Sequence, residues 1–232
     1  MLFRSCDFPT KEQTLAFLNR FTEKKPYVKI GMELFYGEGP DIVREIKAMG
    51  HKIFLDLKLH DIPNTVGRGM KNLARLGVDM TNLHAAGGLA MMQAAREGLA
   101  AGAAGEMPKL IAVTILTSIG QEQLENELGI NAPLENVVAK YAETAQSAGL
   151  DGVVCSPLEA GVVKKARGSH FLTVTPGIRW PSSGAGDDQS RVASPANASA
   201  LGSDYIVIGR PITEAENPAA AYQKACLEFL GQ

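Results

Sequence analysis

Short apolar runs that alternate with longer helical segments constrain the fold of this chain more than any other feature of its sequence. The runs are rich in Val, Ile, Leu and Phe, as is typical of strands, and the segments between them have the apolar spacing of helices. The pattern repeats along the whole chain. We predict strands at residues 2–7, 27–31, 52–58, 79–84, 109–114, 151–155, 171–175 and 204–209.

Glycines and prolines mark the ends of the intervening helical segments. A glycine stands just before several of the strands, where it typically ends a helix, and Pro211 stands where the last helix is expected to begin. We predict helices at residues 11–21, 41–49, 65–76, 89–101, 134–148, 157–166, 195–201 and 211–230.

Eight strand–helix units in 232 residues leave about 29 residues per unit, which suits a βα repeat with short loops. Eight parallel strands that close into a barrel leave no exposed sheet edge. We therefore predict the α/β class and a single (β/α)8 TIM barrel over residues 1–232. A doubly wound open sheet is the alternative. The two longest loops, 117–133 and 177–194, follow the fifth and seventh strands, on the face where barrel enzymes build their active sites.

Composition and charge exclude several other classes of protein. Apolar residues make up 45% of the chain and charged residues 21%, as in an ordinary globular protein, and the net charge is −2. We therefore expect no nucleic-acid partner and no membrane partner. The three cysteines lie far apart in sequence, and no apolar run resembles a signal peptide or a membrane span. These features predict reduced thiols and a cytoplasmic protein.

A cluster of charged residues lies at the end of the third predicted strand. Side chains alternate along a strand, so Phe54, Asp56 and Lys58 share one face, which in a barrel is the interior. Asp61 follows where the chain turns towards the next helix, and Lys29 stands at the matching end of the second strand. The sequence therefore predicts two carboxylates and two ammonium groups at the mouth of the barrel.

This D-x-K-x-x-D pattern suits a lysine that stays protonated. Carboxylates within about 4–6 Å favour the charged form of an amine, so Lys58 would be a poor nucleophile but a well-placed proton donor. The alternative is a surface salt-bridge cluster with a stabilising contribution of about 0–1 kcal/mol.

A second group of residues, at the ends of the last two strands, is typical of an anion site. Arg179 follows the seventh strand, and Gly209 and Arg210 follow the eighth, where barrel enzymes often bind phosphate. The glycine permits close approach to the backbone, and each arginine can make charge-assisted contacts to phosphate oxygens. The alternative is a turn glycine beside a solvated arginine.

We predict no metal site in this chain. Its four histidines lack the spacing of zinc ligands. Asp56 and Asp61 could in principle hold a hard cation with the histidine beside them, but Lys58 between them opposes that interpretation.

Taken together, these motifs resemble the orotidine 5′-phosphate decarboxylase family along nearly the whole chain. The matching segments are Asp7-Phe-Pro, Val28-Lys29-Ile-Gly-Met-Glu, Asp56-Leu-Lys58-Leu-His-Asp61-Ile-Pro-Asn-Thr65, Leu116-Thr117-Ser, Thr175-Pro-Gly-Ile-Arg179, Asp188-Gln189-Ser-Arg191-Val and Val207-Ile-Gly209-Arg210-Pro. The resemblance implies a (β/α)8 barrel that needs no cofactor, forms a homodimer and converts orotidine 5′-monophosphate to uridine 5′-monophosphate.

The resemblance also implies roles for individual residues. Lys58 matches the lysine that protonates C6 of the pyrimidine as carbon dioxide departs. Asp56 and Asp61 match the carboxylates of the charged network, and Asp61 and Thr65 are expected to reach the site of the partner subunit.

The remaining matches concern substrate binding. Lys29 and Asp7 match residues that hold the ribose hydroxyls, and Thr117 matches a contact near the pyrimidine. The matches on the phosphate side are Arg179, Gln189, Gly209 and Arg210.

Two other functions stay open at the level of sequence. A related barrel that acts on a sugar phosphate shares the D-x-K-x-x-D pattern and needs magnesium. A non-catalytic nucleotide-binding module is the other alternative.

Overall fold

Eight parallel strands close into a barrel in chain order in the computed structural model, which describes residues 1–22, 24–180 and 191–232. Each strand pairs with the next, and the last pairs with the first. The (β/α)8 prediction is therefore confirmed, and the open-sheet alternative is wrong. The strands are β1 Leu2–Ser5, β2 Tyr27–Ile30, β3 Ile53–Leu59, β4 Met80–His84, β5 Lys109–Val113, β6 Gly152–Val154, β7 Leu172–Thr175 and β8 Tyr205–Ile208.

Helices follow the strands and surround the barrel. They are α1 Lys11–Leu18, α2 Met32–Glu38, α3 Asp41–Ala48, α4 Pro63–Ala74, α5 Gly88–Gly102, α6 Gln121–Asn126, α7 Leu134–Ser147, α8 Pro157–Arg167, α9 Pro195–Ala200, α10 Arg210–Thr213 and α11 Pro218–Leu230. A 3-10 turn, Ala85–Gly87, precedes α5.

The structure corrects the predicted elements in four places. Helices α2 and α6 lie in segments that we predicted as loops. The single helix predicted at 211–230 is two helices, because the Asn217 side chain accepts a hydrogen bond from the Ala220 N–H and starts α11 afresh at Pro218. Strand β1 ends at Ser5, so Asp7 lies beyond the strand and not at its end.

The barrel carries apolar side chains on both faces of its sheet. Leu55 and Leu57 of β3 point outward and pack against the helices, while Phe54 points inward. The inward layer consists of Phe3, Tyr27, Phe54, Met80, Ile111, Val174 and Val207. This layer fills the barrel and closes the bottom of the cavity described below.

Two further features concern the cysteines and the helices. All three cysteines are free, and Cys6 and Cys155 are buried, as the prediction of reduced thiols requires. In the described ranges, no helix combines the length and the apolar character that crossing a bilayer would need.

Arg4 is an unusual member of the layer between the strands and the helices. It is fully buried, and its guanidinium lies 4.5 Å from the centre of the Phe17 ring. Nη1 donates to the carbonyls of Ser5 and Ile208, but Nε and Nη2 have no hydrogen-bond partner. Burial lowers the pKa of Arg4 to about 10. A buried cation without a carboxylate partner destabilises a fold.

We therefore expect Arg4→Leu to stabilise the protein, because leucine fills an apolar site without a charge to desolvate. A gain of about 1–3 kcal/mol would raise Tm by roughly 3–10 °C in a chain of this size. Scanning calorimetry measures the shift. Arg44→Leu is the control, since its side chain is 58% exposed. A lower Tm for Arg4→Leu would contradict the prediction.

Candidate active site

A cavity of about 550 Å³ opens at the carboxyl ends of the strands, where we predicted the site. Apolar side chains from the inward layer, among them Phe54 and Val207, form its floor. The predicted site residues that line it are Asp7, Lys29, Asp56, Lys58, Thr117, Arg179, Gly209 and Arg210. Residues from six different strand ends therefore meet in one place.

Strand β3 delivers Lys58 to the cavity through an irregularity in its backbone. Lys58 has φ of 51°, in the left-handed region, and the pairing of β3 with β4 shifts between Leu55 and Leu59. The Lys58 N–H donates to the Asn82 side-chain oxygen at 2.8 Å and not to a strand carbonyl. A left-handed conformation costs a non-glycine residue about 1–2 kcal/mol and is kept where neighbouring groups hold it. The local bulge directs the Lys58 side chain into the cavity.

Four side chains of alternating charge form a continuous network. Asp56 lies between two ammonium groups, with Oδ1 2.7 Å from Lys58 Nζ and Oδ2 3.4 Å from Lys29 Nζ. Lys29 Nζ also donates to Asp7 Oδ1 at 3.2 Å. The Asn82 amide donates to Asp56 Oδ1 at 2.7 Å. Asp56 therefore has a partner on each oxygen.

The network keeps its inner members charged despite their burial. Burial by itself raises the pKa of Asp56, but Lys29, Lys58 and Asn82 outweigh it and hold that pKa below its usual value. Burial by itself lowers the pKa of Lys29, and the carboxylates of Asp56 and Asp7 reverse the effect and raise it. Both groups are ionised at neutral pH.

The two arginines line the same cavity, at the ends of the last two strands. Arg179 follows β7 and Arg210 follows Gly209 at the end of β8, and all three residues line the cavity. The Arg179 N–H donates to the Ala193 carbonyl at 3.0 Å, so both ends of the long loop after β7 are joined at the barrel rim. An anion bound by the arginines would therefore share the cavity with the charged network.

Two predicted residues lie outside the cavity of their own chain. Asp61 and Thr65 are exposed, on the turn after β3 and the first turn of α4. Asp61 accepts a hydrogen bond from the Ile62 N–H at 2.6 Å. The expectation that Asp61 and Thr65 serve a partner subunit stays a prediction. Gln189 lies outside the described residues.

We did not predict that Asn82 and Ser5 belong to the site. Asn82 alternates with Met80 and His84 on the inward face of β4, so strand periodicity could have identified it as a buried polar residue. Ser5 lines the cavity at the end of β1, two residues after the inward-facing Phe3 and therefore on the same face of the strand.

The histidines contribute no cluster of metal ligands. The His84 ring lies 5.6 Å from that of His60, and burial, His60 and Lys58 lower the pKa of His84. Over residues 1–22, 24–180 and 191–232, no three His, Cys, Asp or Glu side chains come close enough to hold a metal ion.

A closed (β/α)8 barrel that holds a lysine between carboxylates, in a cavity that two arginines also line, is typical of the barrel enzymes. Comparison with known proteins gives the family. The chain belongs to the orotidine 5′-phosphate decarboxylase / HUMPS family, which matches it over residues 1–225.

Individual relatives agree with the family. The chain is 56% identical over 221 residues to the orotidine 5′-phosphate decarboxylase of Enterococcus faecalis, covering 94% of this chain and 93% of that protein. It is 55% identical to the enzyme of the same name from Streptococcus mutans, covering 97% and 96%. The crystal structure of orotidine 5′-phosphate decarboxylase from Lactobacillus acidophilus superimposes with a TM-score of 0.88 at 44% identity, covering 98% of each chain.

We expect Asp56→Asn to destabilise the fold, because the variant leaves two lysines facing each other around a neutral amide. Breaking a buried ion pair costs about 3–5 kcal/mol. The pKa of Asp56 is lowered in the folded protein, so the ionised carboxylate contributes to the free energy of unfolding. This contribution is complete above the ordinary carboxyl pKa of about 3.9, and it is lost as the pH falls through the lower pKa of the folded protein.

Urea unfolding at pH 7, 5, 4 and 3 measures this dependence as the difference between wild type and variant, which should shrink below about pH 4. Asp41→Asn is the matched control, since its side chain is 77% exposed in a surface pair with Arg44. A difference between wild type and Asp56→Asn that does not change with pH would argue against the paired carboxylate.

Proposed function

We propose that this chain decarboxylates orotidine 5′-monophosphate to uridine 5′-monophosphate in pyrimidine biosynthesis, as a single cytoplasmic barrel domain that uses no metal or cofactor. The observation that carries the proposal is the Lys58 ammonium, 2.7 Å from Asp56 and inside the cavity that the two arginines also line. The family match and the names of the relatives give the substrate.

Lys58 is the proposed proton donor. When the bond from C6 to the carboxylate breaks, its electron pair stays on C6, and the Lys58 ammonium transfers a proton to that carbon. General acid catalysis contributes about 10²–10⁴-fold, whereas slow reactions can need up to about 23 kcal/mol of barrier reduction. The fixed charge of Lys58 must therefore also stabilise the developing carbanion, and this term grows where water is excluded.

Asp56 maintains the position of that lysine. Asp56 contacts both ammonium groups, so it holds Lys58 Nζ in a single place as the reaction proceeds. A donor whose position is fixed in advance costs no reorganisation at the moment of reaction. In this proposal Lys29 and Asp7 also bind the ribose hydroxyls, and Thr117 contacts the pyrimidine.

The phosphate would bind at the other side of the cavity and would not touch the reacting bond. Arg179 and Arg210 supply charge-assisted contacts, Gly209 gives room for the oxygens, and Gln189 is expected to contribute from the long loop. Binding energy from this remote group can organise the charged network around the pyrimidine.

Lys58→Ala and Arg210→Ala form a matched pair of tests. We expect Lys58→Ala to lower kcat by more than about 10⁴-fold while nucleotide binding persists, because the proton and the charge are lost. We expect Arg210→Ala to raise KM about 10–100-fold with a smaller change in kcat, because it removes a contact to a charged group. The loss of orotidine absorbance measures both, and calorimetry measures the binding of uridine 5′-monophosphate.

The same assay separates the alternatives. Activity that survives EDTA excludes the magnesium-dependent sugar-phosphate barrel. A wild-type protein that binds nucleotide and releases no carbon dioxide would be a binding module, and turnover in Lys58→Ala would refute the assignment of that lysine.

A homodimer with shared sites is the proposed assembly. Asp61 and Thr65 do not reach the cavity of their own chain, yet they flank Ile62, an apolar side chain that is 66% exposed. Tyr36 and Leu89, which follow β2 and β4, are also exposed apolar residues. Apolar side chains exposed near one rim favour a protein interface there.

Mixing two inactive variants tests whether sites are shared. We expect Lys58→Ala and Asp61→Asn to be nearly inactive when each is alone. In an equal mixture that exchanges subunits, half of the dimers are hybrids with one intact site, so activity returns to about a quarter of wild type. The control is Lys58→Ala mixed with Asp56→Asn, whose defects fall in one and the same site. Mixed activity no greater than the average of the two separate variants would contradict sharing.

A further inference from the structure

Ser5 makes a directed contact with the charged network. It is the last residue of β1, pairs in register with Lys29 of β2, and is 2% exposed. Its side chain lines the cavity, and its hydroxyl donates to Asp7 Oδ2 at 2.5 Å. Asp7 Oδ1 faces Lys29 Nζ at 3.2 Å. The two oxygens of Asp7 therefore have different partners.

Asp7 needs such support because it lies beyond the regular strand. The pairing of β1 with β2 ends with the hydrogen bond from the Cys6 N–H to the Lys29 carbonyl. The Asp7 side chain is 54% exposed, unlike that of Asp56 at 12%. The Lys29 ammonium contacts both Asp7 and Asp56, so it does not hold Asp7 alone. The Ser5 hydroxyl, in contrast, comes from a rigid strand and fixes which oxygen of Asp7 faces Lys29.

The surroundings of Ser5 limit where the Asp7 carboxylate can turn. A Cβ placed on Gly209 would lie 3.6 Å from Ser5 Cβ and 3.9 Å from Asp7 Oδ2. Asp7 is therefore close to the segment that leads into Arg210, the proposed phosphate contact. A carboxylate released from Ser5 could approach that side, where it would repel an anion.

We propose that Ser5 is a positioning residue that holds Asp7 in the orientation that binds a ribose hydroxyl, and that it thereby sets the preference for a ribonucleotide. This inference rests on the proposed function. Without the Ser5 hydroxyl, the Asp7 carboxylate loses its orientation, so the contact to the ribose weakens while Lys58 and Asp56 stay in place.

The test compares the binding of uridine 5′-monophosphate with that of its 2′-deoxy and 3′-deoxy analogues by calorimetry. We expect wild type to prefer the ribonucleotide by about ten-fold over at least one analogue, because a hydrogen bond to a charged group is lost. Ser5→Ala should reduce that ratio to about two-fold or less and raise KM more than it lowers kcat. Ser5→Thr, which keeps the hydroxyl, should retain the ratio.

Thr81→Val is the matched control, because Thr81 is a buried strand residue whose hydroxyl donates to the Leu55 carbonyl at 3.0 Å, outside the cavity lining. It should lower Tm without changing the ratio. Should Ser5→Ala fail to fold, Ser5→Cys removes the strong donor at nearly constant volume and should lose the ratio in the same way.

Two results would overturn the inference. One is a ribose preference that is the same in wild type, Ser5→Ala and Ser5→Cys, and the other is a wild type that does not distinguish the analogues. The proposed function fails separately, if wild type releases no carbon dioxide from orotidine 5′-monophosphate, since the binding ratios do not depend on turnover.

Discussion

Asp56 between two lysines is the interaction on which the site depends. A single buried carboxylate or a single buried ammonium would be costly, because removal from water disfavours the charged form. Here each charge offsets the burial of the next, and the pKa values of Asp56 and Lys29 move in the directions that keep both ionised. The site can therefore keep a cation inside the barrel mouth, where the proposed reaction develops negative charge.

The fold supports this cluster from below and from the side. The inward apolar layer lies beneath the cavity and gives the charged cluster an apolar floor, and charges interact more strongly in such surroundings than in water. The backbone irregularity in β3 and the side chain of Asn82 turn Lys58 towards Asp56. Conformational strain at one residue thus accompanies the placement of the group that the proposed chemistry requires.

The charged network and the two arginines line one cavity but come from different strands. The charged network comes from the first three strands, whereas the two arginines follow the last two, and barrel closure makes β8 a neighbour of β1. Ser5 stands at this junction, between the Asp7 carboxylate and Gly209. In the proposed function, a nucleotide that spans the cavity connects the strands expected to bind its phosphate with those expected to act on its base.

The sequence by itself determined the strand–helix alternation, the barrel and the charged residues that line the cavity, because strand periodicity and the position of each residue after a strand are local properties. It did not reveal the bulge at Lys58, the contacts of Asn82 and Ser5, or the break between α10 and α11. Those depend on hydrogen bonds between residues far apart in the chain or on competing helix caps. Only the tertiary structure decided that Asp7, Lys29, Asp56 and Lys58 form one alternating network while Asp61 points away from it, because barrel closure fixes distances that spacing along a chain does not contain.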